Sequence, residues 1–432
     1  MYSVSYCSAM KGWFQVTDAM TPYTALQPRA DRAQDYGPVD DWATDFDIAD
    51  ADYVVEPEKR WAEQREQCPI AFTERRQRTW LPVRYGDLAD IAHDDQRFSS
   101  HDPIVVSPFD VPINDLLPVP PISSDPPFHT WARRLLLPAF GPSAVDKMTP
   151  ITRELAHALI DEHFSDGHGD AAADYAQHIP VRIIAQMLGV PVEDEEMFTG
   201  WVVRTLQNGL QNIDSAMGAV GEMTMYFMSA VAERRRMKRG TRPDDIITML
   251  IEAETDEPIT DQHLLGTCFL LLVAGIDTTW SNLGSALWHL ASHPHDQKRL
   301  RNDPELMPAA AEEFLRFYSP VTMARLVTQD TEFAGCPMHR GDKVLMAFPA
   351  GNRDPEMFED PDRFIIDRKK NRHFAFGSGI HRCLGSNLAR MEIKVALEVF
   401  LERVPTFELA DLDGVTWTGG QVRGPRTVPI KF

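Results

Sequence analysis

The chain predicts a mainly α protein with a small β-rich subdomain, folded as one large domain. Three features of its 432 residues carry that prediction. Helical periodicity runs through most of the stretch from Phe128 to about His289, and one long segment after Thr260 is apolar on nearly every side. Short alternating runs are confined to Trp80–Tyr85 and to the region after Cys336.

Residues 1 to about 50 are irregular, with Pro22, Pro28 and Pro38 and an acidic stretch from Asp40 to Asp52, so they read as a surface extension. WLPVRY (Trp80–Tyr85) reads as a strand, followed by a short helix from Asp87. From Asp102 to Pro127 proline interrupts every apolar run, which predicts a long ordered loop of the kind that covers a binding site. ITRELAHALIDEHF, VRIIAQMLG and MTMYFMSAVAERRRM carry apolar residues three and four apart and predict helices. Thr260 is a plausible N-cap for the helix through LLGTCFLLLVAGIDTTWSNLGSALWHL, and a helix apolar all round belongs in the middle of a large domain. CPMHRGDKVLMAF predicts a small hairpin, and VRGPRTVPIKF a further strand. There are no internal repeats, low-complexity tracts or linkers that would split the chain.

The formal charge of -21 argues against nonspecific binding to nucleic acid or to an anionic membrane, since both need basic surface to replace counterions. No apolar run approaches the roughly 20 residues that span a bilayer. The start, MYSVSYCSAMKGWFQVTD, lacks a basic segment followed by an apolar one, so a cytoplasmic protein is expected. Cys7, Cys68, Cys268, Cys336 and Cys383 are odd in number, irregularly spaced and without a CxxC pair, which fits neither a disulfide framework nor a zinc site.

Cys383 stands apart from the other four. It lies in FGSGIHRCLG (Phe376–Gly385), behind a glycine-rich loop and ahead of the helical run SNLARMEIKVALEVFLERV. Unpaired N–H groups and the dipole at a helix N-terminus favour a thiolate, and the N–H of Gly385 can point at the sulfur. Gly377 and Gly379 carry no Cβ and let the loop lie flat against a planar ligand. Such a cysteine is suited to binding a metal.

FGSGIHRCLG resembles the haem-binding loop of the cytochrome P-450 monooxygenases, in which the cysteine is the axial iron ligand. The resemblance covers about Trp80 to the C-terminus. It implies the cytochrome P-450 fold, a catalytic domain over 51–432 built around a buried haem b, and residues 1–50 as an N-terminal extension. AGIDTT (Ala274–Thr279) resembles the same family's oxygen-activating segment. Gly275 leaves room beside the helix, and the Thr278 hydroxyl can bond back to the Ala274 carbonyl, four residues earlier. By resemblance Asp277 and Thr278 are catalytic and guide protonation. Adjacent helical residues do not share a face, so Asp277 is expected to deliver through water or by changing rotamer. Glu313 and Arg316, in EEFLR, are three residues apart and share a helix face; the resemblance makes them a buried structural pair joined by Arg363 of PDRF. For the haem carboxylates it implies His129 and Arg133, four apart on one helix, with Arg325 and His381. Ala274, Phe376, Gly377 and Gly385 complete the expected cofactor contacts around Cys383.

Oxygen activation of this kind consumes two electrons. The chain has neither a GxGxxG fingerprint after a strand nor a cysteine array for an iron–sulfur cluster, so the resemblance implies a separate ferredoxin with its NAD(P)H-dependent reductase. The basic run Arg368, Lys369, Lys370 and Arg372, with Arg382, would steer such an acidic partner. Family resemblance places the substrate pocket among the loop before Pro127, the segment from Phe198 to Leu210, Val273 to Thr278, Val321 to Ala324 and the turn at Gly420. Phe109, Leu116, Leu117, Val273, Val321 and Met323 favour a small hydrophobic molecule, such as a terpenoid, aromatic compound or fatty acid, while Thr322 and Gln421 could orient a polar end. The expected reaction is hydroxylation with dioxygen. The alternatives are a peroxide-driven peroxygenase and a non-catalytic haem-binding sensor.

Overall fold

The computed structural model describes residues 36–75, 77–106, 112–207 and 212–432. Its axis is the central helix, Asp261–Ser292, 32 residues long and therefore about 48 Å from end to end. The Thr260 hydroxyl caps it, accepting the His263 N–H at 3.1 Å. This helix is long and apolar enough to cross a membrane, contrary to the expectation that no run comes close, yet 67% of its most apolar stretch is buried inside the protein. Helices His178–Leu188, Ile213–Arg236 and Ser386–Arg403 pack around it, with Met148–His163 laid on the first and last of these, and their apolar faces form two clusters that meet along its length. Tertiary burial is what stabilises so long a helix, since propensity alone is weak.

A five-stranded sheet forms the smaller β-rich part. Its strands are β1 (Ile70–Thr73), β2 (Thr79–Pro82), β3 (Phe98–Ser99), β4 (Met323–Val327) and β5 (Lys343–Met346), in the order β1-β2-β5-β4-β3. Thr79 of β2 runs parallel to Lys343 of β5, and β5 is antiparallel to β4 with Arg325 opposite Val344. The hairpin expected in CPMHRGDKVLMAF is not formed. Cys336–Met338 turns back on Thr331–Phe333 instead, around Ala334 and Gly335 at φ +49° and +82°, the backbone a two-residue hairpin turn requires. Lys343–Met346 is free to enter the large sheet, where buried Lys343 pairs with Asp102 at 2.9 Å. The strand expected through Tyr85 stops at Pro82, because Tyr85 opens the helix Tyr85–His93 with its N–H donated to Asp354 at 2.7 Å.

The boundary expected at residue 50 falls inside packed structure. Phe46 and Ile48 are buried with Tyr53, Trp61 and Leu81 in one cluster, and the Trp61 indole donates to the Tyr53 hydroxyl at 2.9 Å. Residues 1–35 of the expected extension lie outside the described residues.

Candidate functional site

The loop Phe376–Gly385 is closed by the Cys383 N–H, which donates to the Phe376 carbonyl at 2.8 Å. Gly377 and Gly379 both have positive φ, +66° and +68°, a region that disfavours residues with a Cβ. At Gly379 a Cβ would also stand 2.0 Å from the Ala92 carbonyl oxygen, so this glycine seats the loop on the Tyr85–His93 helix rather than on a planar ligand. Cys383 ends up two residues before the N-cap of helix Ser386–Arg403, which is Gly385. Burial pushes its thiol up, against the opposing pull of the Gly385 N–H and the charges of Arg133, Arg382 and Arg390. A bound iron would add the pull that completes the thiolate, because a coordinating thiol is deprotonated outright.

A largely apolar cavity separates this loop from the central helix. Phe376, Gly377, Cys383 and Gly385 line one wall, and Ala274, Gly275 and Thr278 the other. Its edge is cationic. Arg133 donates to the Arg382 carbonyl at 2.5 Å, and buried Arg325 to the Ala324 carbonyl at 2.8 Å. Neither has a carboxylate partner among the described residues. Burial brings Arg325 down to about 10. His129, 2% exposed, packs its ring 4.2 Å from that of His381, and both of its nitrogens and His381 Nε2 are without partners among the described residues. Burial, then the charges of Arg325, His129 and Arg133, lowers His381 to about 2, so this imidazole is neutral. Buried cations and imidazoles without partners are costly unless an anion completes them. A thiol on one wall and an edge that wants carboxylates fit haem b. No group of three His, Cys, Asp or Glu side chains among the described residues forms a metal site of its own, so an iron at Cys383 needs the porphyrin for its other ligands.

On the opposite wall the Thr278 hydroxyl donates to the Ala274 carbonyl at 2.9 Å. Gly275 lines the cavity, and a Cβ there would press to 3.0 Å on Ile184 of the neighbouring helix, so this glycine also sets the helix spacing. Asp277 does not reach the cavity. Fully buried, it pairs with Arg426 at 2.8 Å and accepts from Gln207 at 3.2 Å, while its second oxygen has no partner among the described residues. Arg426 comes from the strand Gly424–Thr427, donates to the Ser281 hydroxyl at 3.1 Å and lies 4.3 Å from the Trp280 ring centre. Burial raises the Asp277 carboxyl, and Arg426 and then Gln207 oppose it. Sequence reasoning did not identify Arg426 or Gln207; Arg426 is one of three cations in VRGPRTVPIKF and nothing local sets it apart. It also missed Glu392, which lines the cavity from the Cys383-side helix and is pushed up to about 8 by burial, against a hydrogen bond with Thr279.

The buried Glu313–Arg316 pair forms with two bonds of 2.8 Å. The third member is not Arg363. Arg368 takes that place, its Nε 3.1 Å from both Glu313 oxygens. The turn points its carbonyls inward, so Arg363 contributes only its backbone oxygen, to Arg316 at 3.1 Å and Arg368 at 3.0 Å, and its side chain is exposed. Arg368 is thereby withdrawn from the expected basic face, which keeps Lys369, Lys370, Arg372 and Arg382 as exposed residues.

Of the expected substrate contacts, Val321 and Met323 line the cavity, joined by Pro121 and Ile122 from the proline-rich loop. Thr322 does not, since side chains alternate along an extended backbone. Val273 is turned into the helix cluster beside Ile184 and Leu188, and Gln421 reaches only the Met323 sulfur, at 3.5 Å. Leu117 is not among the lining residues. Phe109, Leu210 and the Leu116 side chain lie outside the described residues.

A family model described as cytochrome P450 matches residues 202–413. The mycinamicin IV hydroxylase/epoxidase of Micromonospora griseorubida is 33% identical over 358 residues, 81% of this chain and 89% of that protein. A leinamycin-pathway cytochrome P450 hydroxylase from Streptomyces atroolivaceus superposes with a TM-score of 0.76 at 34% identity, covering 92% of this chain and 98% of the other. A cytochrome P450 of Bacillus megaterium, solved in complex with testosterone, gives 0.78 at 30% identity over 87% and 97% of the two chains.

Proposed function

From the premise that this chain belongs to the cytochrome P450 family, is a monooxygenase and binds haem b, we propose that Cys383 is the axial thiolate and that the reaction hydroxylates a small hydrophobic molecule. The observation that carries this reading is the opposition of Cys383 and Thr278 across one apolar cavity, edged by Arg133, Arg325 and His381 and by histidine nitrogens without partners among the described residues. When bound, the haem supplies dioxygen activation, with the thiolate pushing electron density towards the iron.

The chain's own residues do the rest. Arg133, Arg325 and His381, backed by His129, hold the carboxylates, and Gly377 and Gly385 give the loop its shape beside Cys383. Thr278 spends its proton on the Ala274 carbonyl and so faces the cavity as a hydrogen-bond acceptor. Asp277 hands protons towards Thr278 only after leaving Arg426, through water or a rotamer change. At pH 7 Glu392, at about 8, keeps its proton. Val321, Met323 and Ile122 exclude water and hold an apolar substrate of the terpenoid, aromatic or fatty-acid kind; the testosterone-bound relative supports that class. Electrons come from a ferredoxin and its NAD(P)H-dependent reductase, steered to exposed Lys369, Lys370, Arg372 and Arg382 in a cytoplasmic setting. The catalytic domain on this reading begins at about Phe46 rather than at residue 51, because Phe46 and Ile48 belong to its core.

Turnover of a panel of apolar compounds with ferredoxin, reductase and NAD(P)H, set against hydrogen peroxide alone, tests this. Hydroxylated product from the ferredoxin system, slowing as salt rises, is expected. Product from peroxide alone would make the protein a peroxygenase, and product from neither would favour a sensor.

A further inference from the structure

A second cavity, of about 680 Å³, lies behind the substrate chamber. One backbone ladder divides the two. Val321 bridges to Val422, the Thr322 N–H donates to Gln421 at 3.0 Å, and the Arg423 N–H donates to Pro320 at 2.8 Å. Alternation along this ladder turns Val321 and Met323 into the first chamber and Thr322 and Arg423 into the second.

The second chamber is walled by aromatic rings, among them Trp61, Trp288 and Trp417, with Trp288 and Trp417 edge to face at 5.4 Å. Two of its polar groups are incomplete. Ser319 is 6% exposed, and its hydroxyl has no partner among the described residues. Arg423 donates to the carbonyls of Val54 and Val55 at 2.7 and 2.8 Å and lies 4.6 Å from the Trp417 ring centre, but no described carboxylate pairs with it. Of the acids in the chamber, Asp362 is taken by Arg353 at 3.0 Å and Asp296 by His289 at 3.1 Å; Glu56 is engaged by Lys59. Glu58, partly exposed, makes no ion pair among the described residues, and its negative charge acts on Arg423 and Arg353 from a distance.

We propose that this chamber is a binding site for a flat aromatic carboxylate, separate from the substrate site. The rings stack on the aromatic body, and Arg423 and Ser319 hold the carboxylate oxygens. Glu58 opposes the ligand's charge and limits its affinity.

The test uses the haem-loaded enzyme with its active site closed by an azole that ligates the iron, and 2-naphthoate as the probe. With three of the nine tryptophans in this chamber, saturable partial quenching of tryptophan fluorescence is expected, and it should persist with the azole bound. Arg423→Gln is expected to weaken 2-naphthoate roughly tenfold, the scale of a lost charge-assisted hydrogen bond. Glu58→Gln should tighten it several-fold, and Thr322→Phe should weaken it by intruding on the chamber. The azole spectral shift reports that each variant is folded, so the Glu58 and Thr322 arms stand even if Arg423→Gln does not fold. Absence of saturable quenching at millimolar probe, loss of quenching once the azole is bound, or indifference to Glu58→Gln and Thr322→Phe would each overturn the site. Equal affinity for 2-naphthalenemethanol would overturn the carboxylate assignment.

Discussion

On the Cys383 side the acid Glu313 has both of its oxygens engaged, whereas across the cavity the acid Asp277 keeps one oxygen without a partner among the described residues. Glu313 meets Arg316 three residues on, Arg368 arrives from the turn that also supplies the carbonyls, and Cys383 is tied to Phe376 within its own loop. Opposite, Asp277 depends on Gln207, 70 residues away, and on Arg426 near the chain's end. The Glu313 cluster on the Cys383 side is thus a set of mutually satisfied contacts suited to holding the loop still. The Asp277 wall keeps its acid in a buried pair with one oxygen unpartnered, an arrangement that has to rearrange to work.

The largest break in this contrast is expected from Glu313→Gln. It leaves two guanidiniums facing a neutral amide in a site with no exposure, and losing one partner of a buried pair costs about 3–5 kcal/mol. Denaturant unfolding of the holoenzyme should show that loss together with reduced haem content. Arg363→Ala, removing an exposed side chain, should stay within about 0.5 kcal/mol.

On the other wall Arg426→Gln uncovers a buried carboxyl, and Asp277→Asn in the same chain should recover part of the lost stability. A double-mutant cycle is expected to give a coupling of about 1–3 kcal/mol. Coupling near zero would mean that Arg426 serves Ser281 and Trp280 rather than Asp277.

A further difference between the walls is a pH dependence. Burial favours the protonated form of Glu392, raising it from 4.5 to about 8, so between these values the folded state binds the extra proton. Stability should fall as pH rises through that window and level off above it, with a slope from this group of at most about 1.4 kcal/mol per pH unit. Unfolding midpoints at pH 5, 7 and 9 should show the fall, and Glu392→Gln should flatten it.

Legibility in the sequence followed the same divide. The Thr260 cap and the long helices were plain because capping and periodicity are local. Cys383 and the Glu313–Arg316 pair were plain because they sit in short motifs. The Cys336–Met338 hairpin was misassigned because alternation names strands without naming neighbours. Arg363 was assigned by the resemblance of PDRF, and only the direction of the turn's carbonyls puts Arg368, five residues on, in its place. Thr322 went to the wrong chamber because a one-residue step in an extended segment reverses the face. Arg426 and Gln207 had no local signature at all.

The account rests on Cys383 as the haem ligand. The absorption spectrum of the dithionite-reduced carbon monoxide complex tests it most directly. The wild-type protein should show the red-shifted Soret band of a thiolate-ligated haem, and Cys383→Ala should lose it. A wild-type band of the kind given by nitrogen-ligated haem, or a thiolate band that survives in Cys383→Ala, would contradict the account.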